Sequence, residues 1–289
     1  TTAPQVLLDR KAALLAAMPG VAAEDGADEV MLFIVDILNE RSTLLVPNDF
    51  VRAIAAARSA YAAVLISKSG ARVHGLWVIA TAEEQIEMAL PTNTLPHKDR
   101  RRPERIYRKA SLPEPVLVDG TRCVSKARAV IDIARYHGFR DGLIAADSAL
   151  RAGVSREELT QEFAGMGRVR NSRIVRAVIH HASELSRSPY ESFARALIIE
   201  ADFPWPIFFK AQFKALPGIT PALCINNAYL VDIVSAKALP HLRERHQLLR
   251  KAGFTVLCYS PRQLVDHPDR FLSDLTATVS AGQKAARSA

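Results

Sequence analysis

The sequence predicts an α+β N-terminal domain followed by an α/β domain in which helices flank a mixed central sheet. Three observations support this class. The 289 residues exceed the usual size of one domain, and a hydrophobic content of 49% is ample for two cores. Helical and strand patterns then alternate along the last third of the chain, after a break at Ser186 to Pro189. We therefore expect three segments, 1–60, 61–186 and 187–289.

The first segment, 1–60, is expected to be helical. Apolar residues recur at helical spacing in the stretches 4–17, 28–41 and 48–59. The second segment, 61–186, mixes strands and helices, and its clearest turn is Asp119-Gly120, which is typical of a hairpin. The elements expected in the second segment are a strand at 64–66, a helix from Ser67, strands at 85–90, 106–109 and 116–123, and helices at 125–137, 140–151, 155–163 and 168–185.

The third segment, 187–289, is expected to be an α/β sandwich. Its pattern follows the order helix, three strands, helix, strand, helix. The expected elements are a helix at 188–200, strands at 207–213, 223–226 and 230–235, a helix at 239–252, a strand at 254–259 and a helix from Gln263.

The composition limits the compartment and the partners that we expect. The formal net charge of +8 favours a polyanionic partner such as nucleic acid, although a solvated basic surface accounts for it equally well. Three widely separated cysteines lack the spacing of a zinc site, so we expect reduced thiols, no cofactor and a cytoplasmic location. No apolar run reaches the length of about 18 residues that a membrane helix needs, which predicts no membrane partner.

Two groups of basic residues are candidates for nucleic-acid contact. The first follows His97 in a polar loop and the strand after it, and the second lies on the helix expected from Arg168. The candidates are Lys98, Arg100, Arg101, Arg102, Arg105 and Arg108 in the first group, and Arg170, Arg173 and Arg176 in the second. A solvated charged face remains an alternative for each group.

Four features of the third segment resemble the very-short-patch-repair and DUF559 branch of the PD-(D/E)XK nuclease superfamily. They are the helix start Ser188-Pro189-Tyr190-Glu191-Ser192, the turn Phe203-Pro204-Trp205-Pro206, the strand entry from Leu248 to Leu257, and His241. The resemblance implies a restriction-endonuclease-like domain. Such nucleases hold Mg²⁺ through strand carboxylates, because this hard cation takes oxygen ligands.

In the register that the resemblance implies, both metal-binding acids have been replaced. Cys224 stands at the position of the first acid and Ser235 at that of the second. The remainder of the pattern is Glu191, Lys237 and His241. We therefore expect a degenerate nuclease domain without catalysis and without a bound metal.

Alternatives stay open for three of these positions. A shifted register would recruit Asp232 as a strand carboxylate beside Lys237, which would restore an Mg²⁺-dependent nuclease. Asp232 would otherwise be an isolated acid that faces solvent. Glu191 also fits an N-terminal capping box that begins at Ser188, and Cys224 lies in an apolar run that is typical of a buried, inert thiol.

Two stretches of the second segment resemble AbiEi-type antitoxins. They run from Ala63 to Leu76 and from Val118 to Arg135. The resemblance implies a component of a type IV toxin–antitoxin pair, with promoter DNA and a cognate toxin as partners. The first segment lacks the winged-helix signatures that are usual in this group, and 47–59 is more typical of a bundle helix than of a DNA-reading one.

Together these features predict a DNA-associated regulator or antitoxin-like protein with a catalytically inactive nuclease-fold domain. The alternative is an active metal-dependent DNA endonuclease with a divergent site made of Glu191, Asp232, Lys237 and His241. A third hypothesis is a protein-interaction module that neutralises a toxin without contacting DNA. Mutation of Arg100 to Arg102 would then have no effect.

Overall fold

A computed structural model of the chain describes residues 52–57, 60, 62–80, 84–98, 101–118, 120–209, 221–234 and 239–288. The chain divides between Glu184 and Leu185 into two compact units, which we call unit 1 and unit 2. The helices predicted at 4–17 and 28–41 lie outside the described residues. In the part of the chain that is described, no helix is both long enough and apolar enough to cross a membrane.

Unit 1 contains a five-stranded mixed sheet with the strand order β3-β2-β1-β5-β4. The central strand β1 runs parallel to β5 and antiparallel to β2, while β3 runs parallel to β2. The predicted hairpin is confirmed, since β4 and β5 pair antiparallel and Gly120 has the φ of 72° that suits such a turn. The strands are β1 (Val64–Leu65), β2 (Ile86–Ala89), β3 (Arg105–Tyr107), β4 (Val116–Val118) and β5 (Thr121–Cys123).

The helices of unit 1 that follow β1 are α1 (Ser67–Val73), α2 (Lys126–His137), α3 (Phe139–Arg151), α4 (Arg156–Gly165) and α5 (Ser172–His181). Helix α5 is shorter than the predicted helix at 168–185. Asn171 precedes it with a φ of 60°, in the left-handed region, where a right-handed helix cannot continue. Arg173 and Arg176 therefore lie on the helix, whereas Arg170 does not.

The sheet of unit 1 has an apolar core on each face. Val64 and Ile66 are fully buried in the larger core, which α2, α3 and α5 complete. Leu65 points to the opposite face, because successive side chains of a strand alternate, and it packs in a second core with Met88 and the helical residues 52–57. This two-residue strand is buried because both of its faces are covered.

Unit 2 contains a four-stranded sheet with the order β6-β7-β8-β9. The strands β6, β7 and β8 pair antiparallel, and β9 pairs parallel with β8 after the crossover helix α7. The elements are α6 (Pro189–Glu200), β6 (Ile207–Phe209), β7 (Leu223–Ile225), β8 (Tyr229–Ile233), α7 (Leu239–Lys251), β9 (Thr255–Tyr259), α8 (Pro261–Asp266) and α9 (Pro268–Ser288).

Helices also cover both faces of the sheet in unit 2. Val231 and its neighbours on one face pack against α6, α8 and α9, with Phe271 of α9 almost fully buried. On the other face, Cys224 and Leu230 pack against Leu249 of α7. The coarse prediction of a mixed α/β protein with helix-flanked sheets is confirmed.

Candidate functional site

A buried glutamate, Glu87 of β2, lies at the centre of a charged network in unit 1. Its Oε1 atom accepts hydrogen bonds from Nε and Nη2 of Arg108, at 3.0 and 2.8 Å. Its Oε2 atom accepts from Nε2 of His137 at 2.9 Å and from the backbone N–H of Lys68 at 3.1 Å. Glu87 thereby joins α1, the residue after β3 and the end of α2 to strand β2.

A second carboxylate, Asp132 of α2, is fully buried between two arginines of its own helix. Its oxygens accept from Nε of Arg128 at 3.2 Å and from Nη1 of Arg135 at 2.9 Å. Arg128 also donates from Nη2 to the carbonyl oxygen of Ser111 at 2.8 Å. These contacts fix α2 to the segment that leads into β4.

The two carboxyl groups respond differently to burial. Burial by itself raises the pKa of Glu87, but the hydrogen bond and charge of His137, together with Arg108, hold that pKa below its usual value. Burial also raises the pKa of Asp132, and the attraction of Arg128 and Arg135 offsets only part of this rise. Because both carboxylates are buried and occupied by cationic side chains, we assign the network a structural role.

A cleft of about 1200 Å³ lies next to this network. Its walls are the chain after β3, the start of α2 and the connection between α4 and α5. Four partly or fully exposed cations line it, Lys109, Lys126, Arg135 and Arg168, and Arg135 is paired with Asp132. Of the two carboxylates in its lining, Glu162 lies 3.5 Å from the buried guanidinium group of Arg128, so its charge is partly neutralised. The cleft thus offers an anion more positive than negative charge.

The nucleic-acid contacts predicted from the sequence lie in different environments. Arg108 is occupied by Glu87 and also stacks on the ring of Tyr136, with its Cζ atom 4.2 Å from the ring centre. Arg105 is partly buried in β3, and Arg100 lies outside the described residues. The exposed candidates are Lys98, Arg101, Arg102, Arg170, Arg173 and Arg176.

The last three of these, Arg170, Arg173 and Arg176, form what we call the arginine row. Arg173 and Arg176 are one helical turn apart on α5, and so share a face of that helix. None of the three guanidinium groups is in an ion pair within the described ranges, and that of Arg176 lies 5.6 Å from the ring centre of Phe163. The row is therefore open to an external anion.

In unit 2, Asp232 of β8 is only 4% exposed, so the expectation that it faces solvent is wrong. The alternation of β8 directs this residue to the face that α7 covers. Its Oδ2 atom accepts from Nε2 of His246 at 3.1 Å and lies 3.2 Å from Nη2 of Arg245. Its Oδ1 atom accepts from the backbone N–H of Ala222 at 3.2 Å.

The surroundings of Asp232 do not fit Mg²⁺. This ion takes oxygen ligands, whereas an imidazole, a guanidinium group and an N–H donor already occupy the carboxylate. Burial raises the pKa of Asp232, but the hydrogen bond from His246 and the charge of Arg245 outweigh it, so the pKa lies below its usual value. Within the described part of the chain, no three His, Cys, Asp or Glu side chains come together as a metal site.

A thiol extends this arrangement. The Sγ atom of Cys258, on β9, lies 3.6 Å from Nδ1 and 3.8 Å from Nε2 of His246. We call Asp232, His246 and Cys258 the thiol cluster. Cys258 and His246 line a pocket of about 380 Å³ together with Arg243, Gln247 and Arg250, which are exposed on α7.

The remaining predicted site residues have structural surroundings or lie outside the description. Ser188 caps the helix that contains Glu191, since its hydroxyl accepts from the N–H of Glu191 at 3.1 Å, and the Glu191 carboxylate accepts from the N–H of Arg187, the residue before the cap, at 2.8 Å. Cys224 is fully buried on β7. Ser235, Lys237 and the side chain of His241 lie outside the described residues.

The sequence interpretation missed His246 and Cys258. A signal for His246 was present, because Leu242, His246 and Leu249 recur at helical spacing and mark the buried face of α7. Cys258 gave no such signal. It becomes a neighbour of Asp232 only through the parallel pairing of β8 with β9, and that pairing joins residues far apart in the chain.

Comparison with protein-family models, curated proteins and solved structures finds no match to the chain. The assignment of a function therefore depends on the charges and the geometry of the two units.

Proposed function

We propose that the protein binds DNA through the arginine row of unit 1 and acts as a regulator or antitoxin rather than as a nuclease. One observation carries this proposal: three exposed guanidinium groups occupy a short segment and have no ion-pair partner in the described part of the chain. A guanidinium group suits phosphate because it donates forked hydrogen bonds and keeps its charge. Each phosphate contact also releases counterions, which favours binding.

The surroundings of the row extend the basic surface. Arg168 precedes Arg170 by two residues and lines the cleft that Lys109 and Lys126 also reach. The exposed residues of the basic loop, Lys98, Arg101 and Arg102, would supply further phosphate contacts. The excess of positive over negative side chains, +8 for the whole chain, favours association with a polyanion from a distance.

The interpretation of unit 2 as a domain that does not cut DNA is also a proposal. Its element order, with three antiparallel strands, a crossover helix and a parallel fourth strand, supports a restriction-endonuclease-like fold. The cationic surroundings of Asp232 support the view that its carboxylate stabilises the fold instead of holding a metal. The antitoxin role and a cognate toxin as partner rest on the AbiEi-like stretches alone.

The test compares two double variants of the full chain that remove the same charge. Arg173→Gln/Arg176→Gln removes two members of the row. Arg262→Gln/Arg270→Gln removes two exposed arginines of α8 and α9, which pair with Asp266 and Asp274 on their own helices. Fluorescence anisotropy measures the affinity for a short DNA duplex at salt concentrations from about 50 to 200 mM.

We expect the slope of log affinity against log salt to lose about two units in the row variant and almost none in the control. Equal losses in the two variants would show that net charge alone attracts DNA, and an absence of binding by the wild type would exclude the proposal. The same preparations, incubated with DNA in Mg²⁺ or Mn²⁺, test the nuclease alternative. Cleavage that disappears in Asp232→Asn would favour that alternative.

A further inference from the structure

The thiol cluster of unit 2 has no part in the proposed DNA binding, yet its three side chains are arranged in a chemically specific order. Asp232 accepts a hydrogen bond from Nε2 of His246, so this nitrogen carries the ring proton. In the neutral ring Nδ1 is then the proton acceptor, and the Sγ atom of Cys258 lies 3.6 Å from Nδ1 and 3.8 Å from Nε2. A nucleophile next to a base, with a third group that orients the base, is the arrangement that covalent catalysis requires.

Regular secondary structure holds each member in place. Asp232 and Cys258 are direct partners in the parallel pairing of β8 with β9, so they lie side by side on one face of the sheet. His246 reaches both from the buried face of α7, where its residue is 3% exposed. Sites that are built on helices and strands keep their geometry better than sites on loops.

The pocket that leads to the thiol is basic. Arg243, Gln247 and Arg250 follow one another at spacings of four and three residues, so they share an exposed face of α7, which borders the buried His246. Arg243 and Arg250 are exposed, whereas Cys258 is half-buried. The charged groups that face the cluster are Asp232 on β8 and the arginines of α7, including Arg245, which pairs with Asp232.

We propose that Cys258 is a nucleophile that reacts with small anionic electrophiles, which Arg243 and Arg250 attract into the pocket. His246 removes the thiol proton, and Asp232 is a positioning residue that holds the imidazole. In the step itself, the S–H proton passes to Nδ1 of His246 while the sulfur forms a bond to an electrophilic carbon. The bond from that carbon to its leaving group breaks, and the leaving group departs with the electron pair. The step requires no oxidant or reductant.

The thiol is protonated at rest. Burial, together with the negative charge of Asp232, raises the pKa of Cys258 to about 11. A preformed thiolate is therefore scarce at neutral pH, and fast reaction depends on removal of the proton by a neighbouring base. The alkylation rate of Cys258 should therefore depend on pH in a way that mere exposure of the thiol to the reagent would not produce.

The experiment measures alkylation of each cysteine of the folded full chain by iodoacetate, which is anionic, and by iodoacetamide, which is neutral. Peptide mass spectrometry follows the three cysteines separately, so the fully buried Cys123 and Cys224 serve as internal references. The urea-unfolded chain supplies the intrinsic ratio of the two reagents. We expect Cys258 to react at least about tenfold faster than the buried pair, with the ratio shifted towards iodoacetate.

Variants separate the roles of the neighbours. We expect Arg243→Gln/Arg250→Gln to return the reagent ratio to its value in the unfolded chain, whereas Arg262→Gln/Arg270→Gln leaves the ratio as in the wild type. We expect His246→Gln to slow both reagents by about 100-fold, the usual contribution of general-base catalysis. In the wild type, the rate should level off well below pH 11 instead of rising towards the pKa of the thiol.

Three results would overturn the proposal. The first is a rate at Cys258 no higher than at Cys224, and the second is an unchanged reagent ratio in the pocket variant. The third is a rate that keeps rising with pH up to about 11, as a thiolate without a base would show. If His246→Gln unfolds unit 2, Cys224 becomes alkylated as fast as in urea. In that case the reagent ratio in Arg243→Gln/Arg250→Gln and the pH profile of the wild-type rate test the proposal.

Discussion

The Nε2 atom of His137 lies 2.9 Å from the Oε2 atom of Glu87, which ties the C-terminal end of α2 to strand β2 of the sheet in unit 1. These residues are 50 positions apart in the chain. The same carboxylate also neutralises the guanidinium group of Arg108, and its exposed fraction is 2%. Loss of this charge would leave the guanidinium group of Arg108 without its counter-ion in a partly buried place.

We expect Glu87→Gln to destabilise unit 1 by about 3–5 kcal/mol, because breaking one partner of a buried ion pair leaves the other uncompensated. Urea unfolding of the full chain, followed by circular dichroism, measures the change. Glu104→Gln is the matched control. Glu104 is 42% exposed at 3.9 Å from Arg105, so its loss should cost less than about 1 kcal/mol. Similar losses in both variants would contradict the role of Glu87.

The pH dependence of stability follows from the same carboxylate. The folded-state pKa of Glu87 lies below the ordinary glutamate value of 4.5, so its ionised form stabilises the fold above that pH. This stabilisation is lost as the pH falls below 4.5 towards the folded pKa. The contribution of Asp132 to the pH dependence has the opposite sign. Its pKa is raised, so its ionised form reduces the stability at higher pH.

We therefore expect unit 1 to lose stability below about pH 4.5, with a smaller loss in Glu87→Gln. We expect stability to fall more steeply with decreasing pH in Asp132→Asn, because this variant lacks the stabilisation that protonation of Asp132 provides at low pH. Urea midpoints measured as a function of pH provide the test. If the urea midpoints of the wild type and Glu87→Gln fall identically at low pH, other groups control the loss of stability in acid.

Gly142, on α3, lies close to two neighbouring helices of unit 1. A Cβ atom added there would lie 2.8 Å from the Cβ of Ala134 on α2 and 2.9 Å from a methyl carbon of Val178 on α5. We expect Gly142→Ala to destabilise unit 1 by about 1–3 kcal/mol through overpacking. Gly165→Ala is the control, since no atom lies within 4 Å of its added Cβ, and it should be neutral or stabilising by about 0.5 kcal/mol.

The start of α8 depends on a reciprocal pair of hydrogen bonds. The hydroxyl of Ser260 accepts from the N–H of Gln263 at 3.2 Å, and the side chain of Gln263 accepts from the N–H of Ser260 at 2.9 Å. We expect Ser260→Ala to cost unit 2 about 1 kcal/mol, and Ser260→Asp to retain most of that stability because a carboxylate also accepts at this position. Equal urea midpoints for the two variants would refute the capping role.

The sequence predicted those parts of the fold that local signals control. The hairpin at Asp119-Gly120 and the helix that begins at Ser188 each depend on residues within a few positions of one another. The strand order β3-β2-β1-β5-β4 was not predictable, because it joins strands through contacts between residues far apart in the chain. No periodicity reports which of several short strands becomes the centre of a sheet.

The candidate sites were only partly predictable for the same reason. The arginine row follows from spacing, although Asn171 ends the helix earlier than the pattern indicates. Asp232 was expected at a solvent-facing position, because the sequence does not show that α7 covers its face of β8. Glu87 gave no signal either, since its partners Arg108 and His137 lie 21 and 50 residues further along the chain.

The parallel pairing of β8 with β9 also has a consequence for synthesis of the chain on the ribosome. Until residues 255–259 have emerged and α7 has folded back, β8 is an unprotected edge whose backbone groups can pair with another nascent chain. Its sequence, Tyr-Leu-Val-Asp-Ile, is apolar except for Asp232. A charge within an edge strand opposes edge-to-edge aggregation, so we expect Asp232 to oppose such pairing in the unfinished polypeptide.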